Sequence, residues 1–317
     1  SQRGPEDLEL PSDDRGGCHA RHEPRYGDRI VAGVFVVNRI AFRRRPASER
    51  ARERLGFEEV LALMLASLKN KEQNAKLESH EIVFRPQDAQ NFVAKLPFDL
   101  TSAQRVAAWE IIQNLSSGEP MNRLLQGDVG SGKTVVAGLV AYIAARAGFQ
   151  TAFMAPTELL ATQHAETLRK TLEGFDIEVA LLTGSVKQSA RKELYSRIAD
   201  GSAQLIVGTH ALIQDKVVFH ELGFVVIDEQ HRFGVEQRQR LLAKASKMPH
   251  LLAMTATPIP RSLQLTVYGE LDISLLGEKP KSRKPIITEI TSPNSRTQMY
   301  DHVEQELKKG RQAYVIC

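Results

Sequence analysis

Gly127, Asp128, Val129, Gly130, Ser131, Gly132, Lys133 and Thr134 run consecutively and fill every position of the phosphate-cradling pattern G-x-x-x-x-G-K-[ST]. The glycines let the backbone curl, so that successive N–H groups converge on one anion. Lys133 is expected to set a cation against the β- and γ-phosphates of a nucleotide, and the Thr134 hydroxyl to hold Mg2+. The flanks support this. Residues 122–126 form a short run of strand length, and residues 135–146 are apolar and alanine-rich, as a buried helix should be. Strand, loop and helix in that order put the phosphates at the positive end of a helix dipole. ATP and Mg2+ are the expected cofactors.

The alternation continues along the chain. Further strand candidates fall at 151–155, 178–182, 204–207, 224–227 and 250–254. Helix-like stretches lie at 102–115, 158–172, 189–199 and 236–244, with Thr101 as the cap of the first. Short apolar strands separated by amphipathic helices predict an α/β fold, a parallel sheet covered by helices on both faces. Ligands bind at the carboxyl ends of such strands, and the phosphate loop follows the first of them.

A later strand, 224–227, ends in Asp228-Glu229-Gln230-His231. An aspartate there can hold Mg2+ beside the phosphate loop. The adjacent Glu229 can orient and deprotonate an attacking water. The pair of features predicts a hydrolase of nucleoside triphosphates. Other strand ends carry Pro156-Thr157, Thr183-Gly184, Gly208-Thr209-His210 and Thr255-Ala256-Thr257. Their hydroxyls and backbone N–H groups share one sheet edge and could hold a phosphodiester backbone without reading bases. Ordinary helix capping accounts for the same residue types.

In this order the segments resemble the successive motifs of superfamily 2 helicases, and more narrowly those of the RecG family of bacterial DNA helicases. The narrower resemblance covers roughly residues 45–317 and rests on 127–134, 154–164, 228–238, 254–261, 267–273 and 310–317. It implies a RecA-like lobe in which Phe98 and Gln104 recognise adenine, Lys133 the phosphates, Thr134 and Asp228 the metal, and Glu229 the water. His231 and Thr255, Ala256 and Thr257 would couple nucleotide state to the grip on DNA. The implied activity is ATP-driven remodelling of branched or forked DNA, at stalled forks and Holliday junctions, by a monomer acting in recombination and repair. The transcription-repair coupling translocase shares the phosphate loop and Thr255–Arg261. Asp228-Glu-Gln-His231 and Tyr268-Gly-Glu-Leu-Asp272 favour the RecG-type reading.

The rest of the chain sets the frame. Its 317 residues suffice for two domains. The expected organisation is a disordered or degenerate region at 1–44, a helical linker at 45–97, the ATP-binding lobe at 98–277, and a linker with the truncated start of a second lobe at 278–317. Within these, 30–42 contains a β-favouring run, 49–74 has the period of an amphipathic helix, and 286–291 and 312–317 read as further strands around a helix at 295–309. The net charge of +4 permits a nucleic-acid partner, and seven arginines between 39 and 54 are either a solvated helix face or a phosphate contact. Two cysteines at opposite ends form no disulfide framework, so a cytoplasmic location is expected. No apolar run reaches membrane-spanning length. The family's wedge barrel is not legible in residues 1–40, and the second lobe stops before its arginine finger. Binding of Mg2+–ATP without fast hydrolysis or unwinding is therefore expected of this polypeptide, and a non-catalytic nucleotide-binding fragment is the alternative.

Overall fold

Residues 47–257, 271–278, 288 and 290–315 are described in a computed structural model. Seven strands lie in it: β1 (Asn122–Gly127), β2 (Gln150–Met154), β3 (Val179–Leu182), β4 (Leu205–Gly208), β5 (Leu222–Asp228), β6 (His250–Thr255) and β7 (Asp272–Leu276). They form one sheet in the order β3-β4-β2-β5-β6-β1-β7. Every pairing is parallel, with Leu124 opposite Ala253, Phe153 opposite Val207, and Val226 opposite Leu252.

Parallel pairing needs a crossover after each strand, and the crossovers cover both faces. Along β5, Phe224 and Val226 enter one apolar cluster while Val225 and Ile227 enter another. The first cluster takes in helices α3 (Ser102–Leu115), α4 (Lys133–Arg146) and α5 (Glu158–Thr171), through Ile111, Val140 and Leu168. The second takes in α6 (Gln188–Ala199) and α7 (Val235–Leu242), through Leu194, Ile198 and Leu241. The period of two along each strand thus feeds two cores at once.

One element falls within the helical linker expected at 45–97, and two run differently from the sequence expectation. Pro86–Lys95 is a helix, α2, with Pro86 in its first turn and Phe92 fully buried between Tyr142 and Phe175. β7 is an added edge strand on β1. Arg123 fastens it: the guanidinium donates to Ser274 Oγ at 2.8 Å and to Asn114 Oδ1 at 2.7 Å, beside the Glu110 carboxylate that also accepts from Ser274. Residues 312–315, expected to open a strand, are irregular and exposed. A strand is stable only against a partner ladder, and none pairs with them among the described residues. The candidate strand at 30–42 and the disordered or degenerate region expected at 1–44 lie outside the described residues, as do 286, 287 and 289 of the candidate strand at 286–291.

The long helix α1 (Ala47–Ala75) forms as expected, but Leu55, Val60, Leu63 and Leu68 are exposed along it. A last helix, α8 (Arg296–Lys308), has no buried residue. The segment before α2 is tied to the sheet by His250, which is fully buried. Its Nδ1 accepts the Met121 N–H at 3.2 Å and its Nε2 lies 2.7 Å from the His80 carbonyl. Burial lowers its pKa below the ordinary histidine value, as expected for a ring used as a neutral bridge.

Candidate nucleotide and nucleic-acid site

The phosphate loop, Pro156-Thr157, Thr183-Gly184, Gly208-Thr209-His210, Asp228 to His231 and Thr255 to Thr257 stand at the carboxyl edge of this sheet, at the ends of β1, β2, β3, β4, β5 and β6 respectively. The phosphate loop leads from β1 directly into α4. Gly132 is the N-cap of that helix at φ +90°, and no side chain caps it. The orphan N–H groups of the first turn are therefore left for an anion, where the helix dipole favours one. Lys133 folds back over the loop, its Nζ donating to the carbonyls of Gly127 at 2.6 Å and Asp128 at 3.1 Å. Burial pulls its pKa below the ordinary lysine value, while Asp228, Glu229 and Asp128 pull it back up. A half-buried ammonium in that state gains from a phosphate neighbour.

Gln104 closes the loop from the other side. Thr101 caps α3 in a reciprocal box: the Gln104 N–H reaches Thr101 Oγ1 at 3.2 Å, and the Thr101 N–H reaches Gln104 Oε1 at 2.8 Å. The remaining end of the amide, Nε2, donates to the Ser131 carbonyl at 2.8 Å. A Cβ on Gly132 would lie 2.2 Å from that nitrogen, which these bonds hold in place. Gly132→Ala is thus strained twice, by its positive φ and by the pinned amide. A loss of about 1–3 kcal/mol in chemical denaturation is expected; unchanged stability would contradict this packing.

Facing the loop, Asp228 ends β5 and is buried. Glu229 follows at φ +47°, a left-handed conformation unusual for a side chain this large. Such strain costs about 1–3 kcal/mol and concentrates at functional sites. Glu229 Oε2 is buried and makes no hydrogen bond, though it lies 3.5 Å from Nδ1 of the half-exposed His231. Ser131 Oγ is likewise buried without a partner. These orphaned oxygens and the capless helix fit a phosphate-bound metal. Among the described residues no group of three or more His, Cys, Asp or Glu could hold a metal alone, and Mg2+ does not require one: one or two protein ligands plus phosphate oxygens serve.

An open cavity of about 1150 Å3 joins these parts, lined by Gln104, Gly132, Lys133, Thr134, Asp228 and Glu229. Phe98, about half exposed, lies at its wall with Ala256. Thr255 and Thr257 share a hydroxyl contact of 2.8 Å at the end of β6. The segment 258–261, which completes that motif, lies outside the described residues.

The proposed DNA-facing row divides. Thr157 caps α5, accepting from the Leu160 N–H at 3.3 Å. Thr183 is buried with its hydroxyl 2.9 Å from Ser185 Oγ, and Gly208 and Thr209 are buried in the sheet edge. The Thr157 and Thr183 hydroxyls serve local turns, whereas Thr209 Oγ1 is buried without a hydrogen-bond partner. Gly184 and His210 are exposed beside them, and Pro156 is half-buried. An open groove of about 770 Å3 runs on from His210, with Arg191, Lys192, Lys216 and Arg240 in its lining against one acid, Asp215.

Three further residues hold this edge together. The Arg191 guanidinium donates to the carbonyls of Thr183, Gly184 and Val186 at 3.2, 2.7 and 3.1 Å. Glu158 Oε1 accepts from the Ser185 N–H at 3.2 Å, joining two loops of the row. His164 on α5 lies against both Thr134 and Asp228. No spacing rule marks any of them: Glu158 and His164 act through segments distant in sequence, and Arg191 closes back on the turn just before its own helix.

Known proteins agree with this geometry. The DEAD/DEAH box helicase family profile matches residues 104–266, just over half of the chain. The chain is 47% identical over 265 residues to ATP-dependent DNA helicase RecG of Aquifex aeolicus, covering 83% of this chain and 34% of that protein. For the Bacillus subtilis RecG the identity is 48% over 274 residues, covering 86% and 40%. A solved structure of RecG bound to a three-way DNA junction superposes with a TM-score of 0.75 at 43% identity, over 85% of this chain and 36% of that one. The chain thus spans between a third and two-fifths of the length of the RecG relatives it matches.

Proposed function

Because this chain belongs to the DEAD/DEAH box helicase family, we propose that it is the nucleotide-binding part of an ATP-driven motor that remodels branched DNA. The observation that carries the reading is the uncapped start of α4 with Lys133, set opposite Asp228 and the strained Glu229 across one cavity. Similarity to RecG proteins, one of them solved on a three-way junction, supports the branched substrate.

The residues divide the work by their chemistry. The loop N–H groups and Lys133 bind the triphosphate, and Gln104 and Phe98 line the side where the base would lie. Thr134 and Asp228 supply oxygen ligands suited to Mg2+, which when bound would neutralise phosphate charge. Glu229 takes the proton of the attacking water. His231 and Thr255 to Thr257 stand where the strand ends meet and would pass the nucleotide state on. The exposed backbone at Gly184, His210 and the basic groove beyond it would grip a DNA backbone without reading bases.

In this reading residues 98–277 form the ATP-binding lobe, after a helical linker at 45–97, and 278–317 begin the next lobe. A monomer working in the cytoplasm on recombination and repair intermediates goes with it. The test is phosphate release by the 317-residue chain with no DNA, linear duplex or a three-way junction. The junction is expected to stimulate turnover more than duplex does. Indifference to all DNA would contradict the motor and leave only nucleotide binding.

A further inference from the structure

The imidazole of His164 sits between the two groups assigned to the metal. Its Nε2 is 2.8 Å from Asp228 Oδ2, and its Nδ1 is 3.4 Å from Thr134 Oγ1. The ring is held by packing: its centroid is 4.7 Å from that of Phe153, and only 14% of the side chain is exposed.

A carboxylate only accepts hydrogen bonds, so Nε2 carries the hydrogen. In the neutral ring Nδ1 is then the acceptor, and the Thr134 hydroxyl donates to it. One tautomer thereby settles two ligands. The Thr134 proton is committed to the ring, which leaves the lone pairs of its oxygen available to a cation. Asp228 is held through Oδ2, which leaves Oδ1 available. Partners of this kind, one step removed from a metal, fix ligand orientation and contribute to metal affinity.

We propose that His164 is a positioning residue for Mg2+, orienting Thr134 and Asp228 before the nucleotide arrives. The inference rests on the nucleotide–metal reading above and adds to it a residue, at the wall of the same cavity, that the reading gave no role. It also places the metal ligands under the control of α5, the helix whose first turn carries Glu158 on the Ser185 loop.

The test is calorimetric titration of ATP into the 317-residue chain, in EDTA and across a Mg2+ series. His164→Ala is expected to raise the Mg2+ concentration for half-saturation by roughly tenfold, the lower end for such partners, with affinity in EDTA unchanged. An unshifted Mg2+ requirement, or equal losses with and without Mg2+, would overturn the proposal in favour of a packing role. Two conservative variants decide the matter if His164→Ala does not fold. His164→Gln can place an N–H near the Nε2 position and should stay closer to the parent. His164→Asn is too short for Asp228 and should resemble the alanine variant, and equal Mg2+ requirements in the two would sink the idea. Failure of the parent to bind ATP in either condition would instead remove the nucleotide reading itself, and the inference with it.

Discussion

Lys133→Ala is expected to weaken ATP binding by roughly 10- to 150-fold while leaving the fold intact. The magnitude follows from one charged hydrogen bond, about 1.5–3 kcal/mol, at 1.4 kcal/mol per factor of about ten. Stability should change little, for a physical reason. The ammonium is half-buried at an energetic cost, as its lowered pKa records. Its present partners are backbone carbonyls of Gly127 and Asp128, and water can reach them once the side chain is gone. Calorimetry and thermal unfolding of parent and variant check both halves. Equal ATP affinity would remove Lys133 from the phosphate site.

The second large effect belongs to Glu229. Glu229→Gln should lower the rate of ATP cleavage by about 10²–10⁴, the usual contribution of a positioned general base, and change ATP affinity by no more than a few-fold. The amide keeps the size of the carboxylate and tolerates the φ of +47° as well as the parent does. It loses the basic oxygen, Oε2, which is buried here without a hydrogen bond. Single-turnover measurement with excess enzyme separates the chemical step from binding. A rate within tenfold of the parent would assign water activation elsewhere.

Much of the architecture was legible because two periodicities announce it. Strands such as Val225–Ile227 are apolar on both faces, and residues on α3 to α5 recur at helical spacing, so a sheet covered on both sides follows from pattern alone. Thr101 was readable as the cap of a helix start, and the structure adds Gln104 as the other half of a reciprocal box. Its second use was not readable: that the Gln104 amide also pins Ser131, and so shapes the loop at Gly132, is a contact between segments.

What escaped has physical reasons too. β7 alternates buried Ser274 and Leu276 with the exposed Leu275, so its apolar content reads as weak until Arg123 and Glu110 are known to receive Ser274. In the site, the nucleotide loop and Asp228–Glu229 were plain because they are contiguous. His164 and Glu158 were not, since their roles exist only once α5 meets the strand ends. Among the DNA-facing hydroxyls, which suit phosphate contact by type, those of Thr157 and Thr183 also engage local turns and Thr209 is buried.

The account turns on whether the bend ahead of α4 takes a metal-bound triphosphate. Isothermal titration of ATP with Mg2+ into the folded chain measures this directly. One saturable site, weakened roughly 10- to 150-fold by Lys133→Ala and retained with Glu229→Gln, is the predicted result. Absence of binding heat at several temperatures, from protein whose circular dichroism shows its helices and sheet, would contradict it.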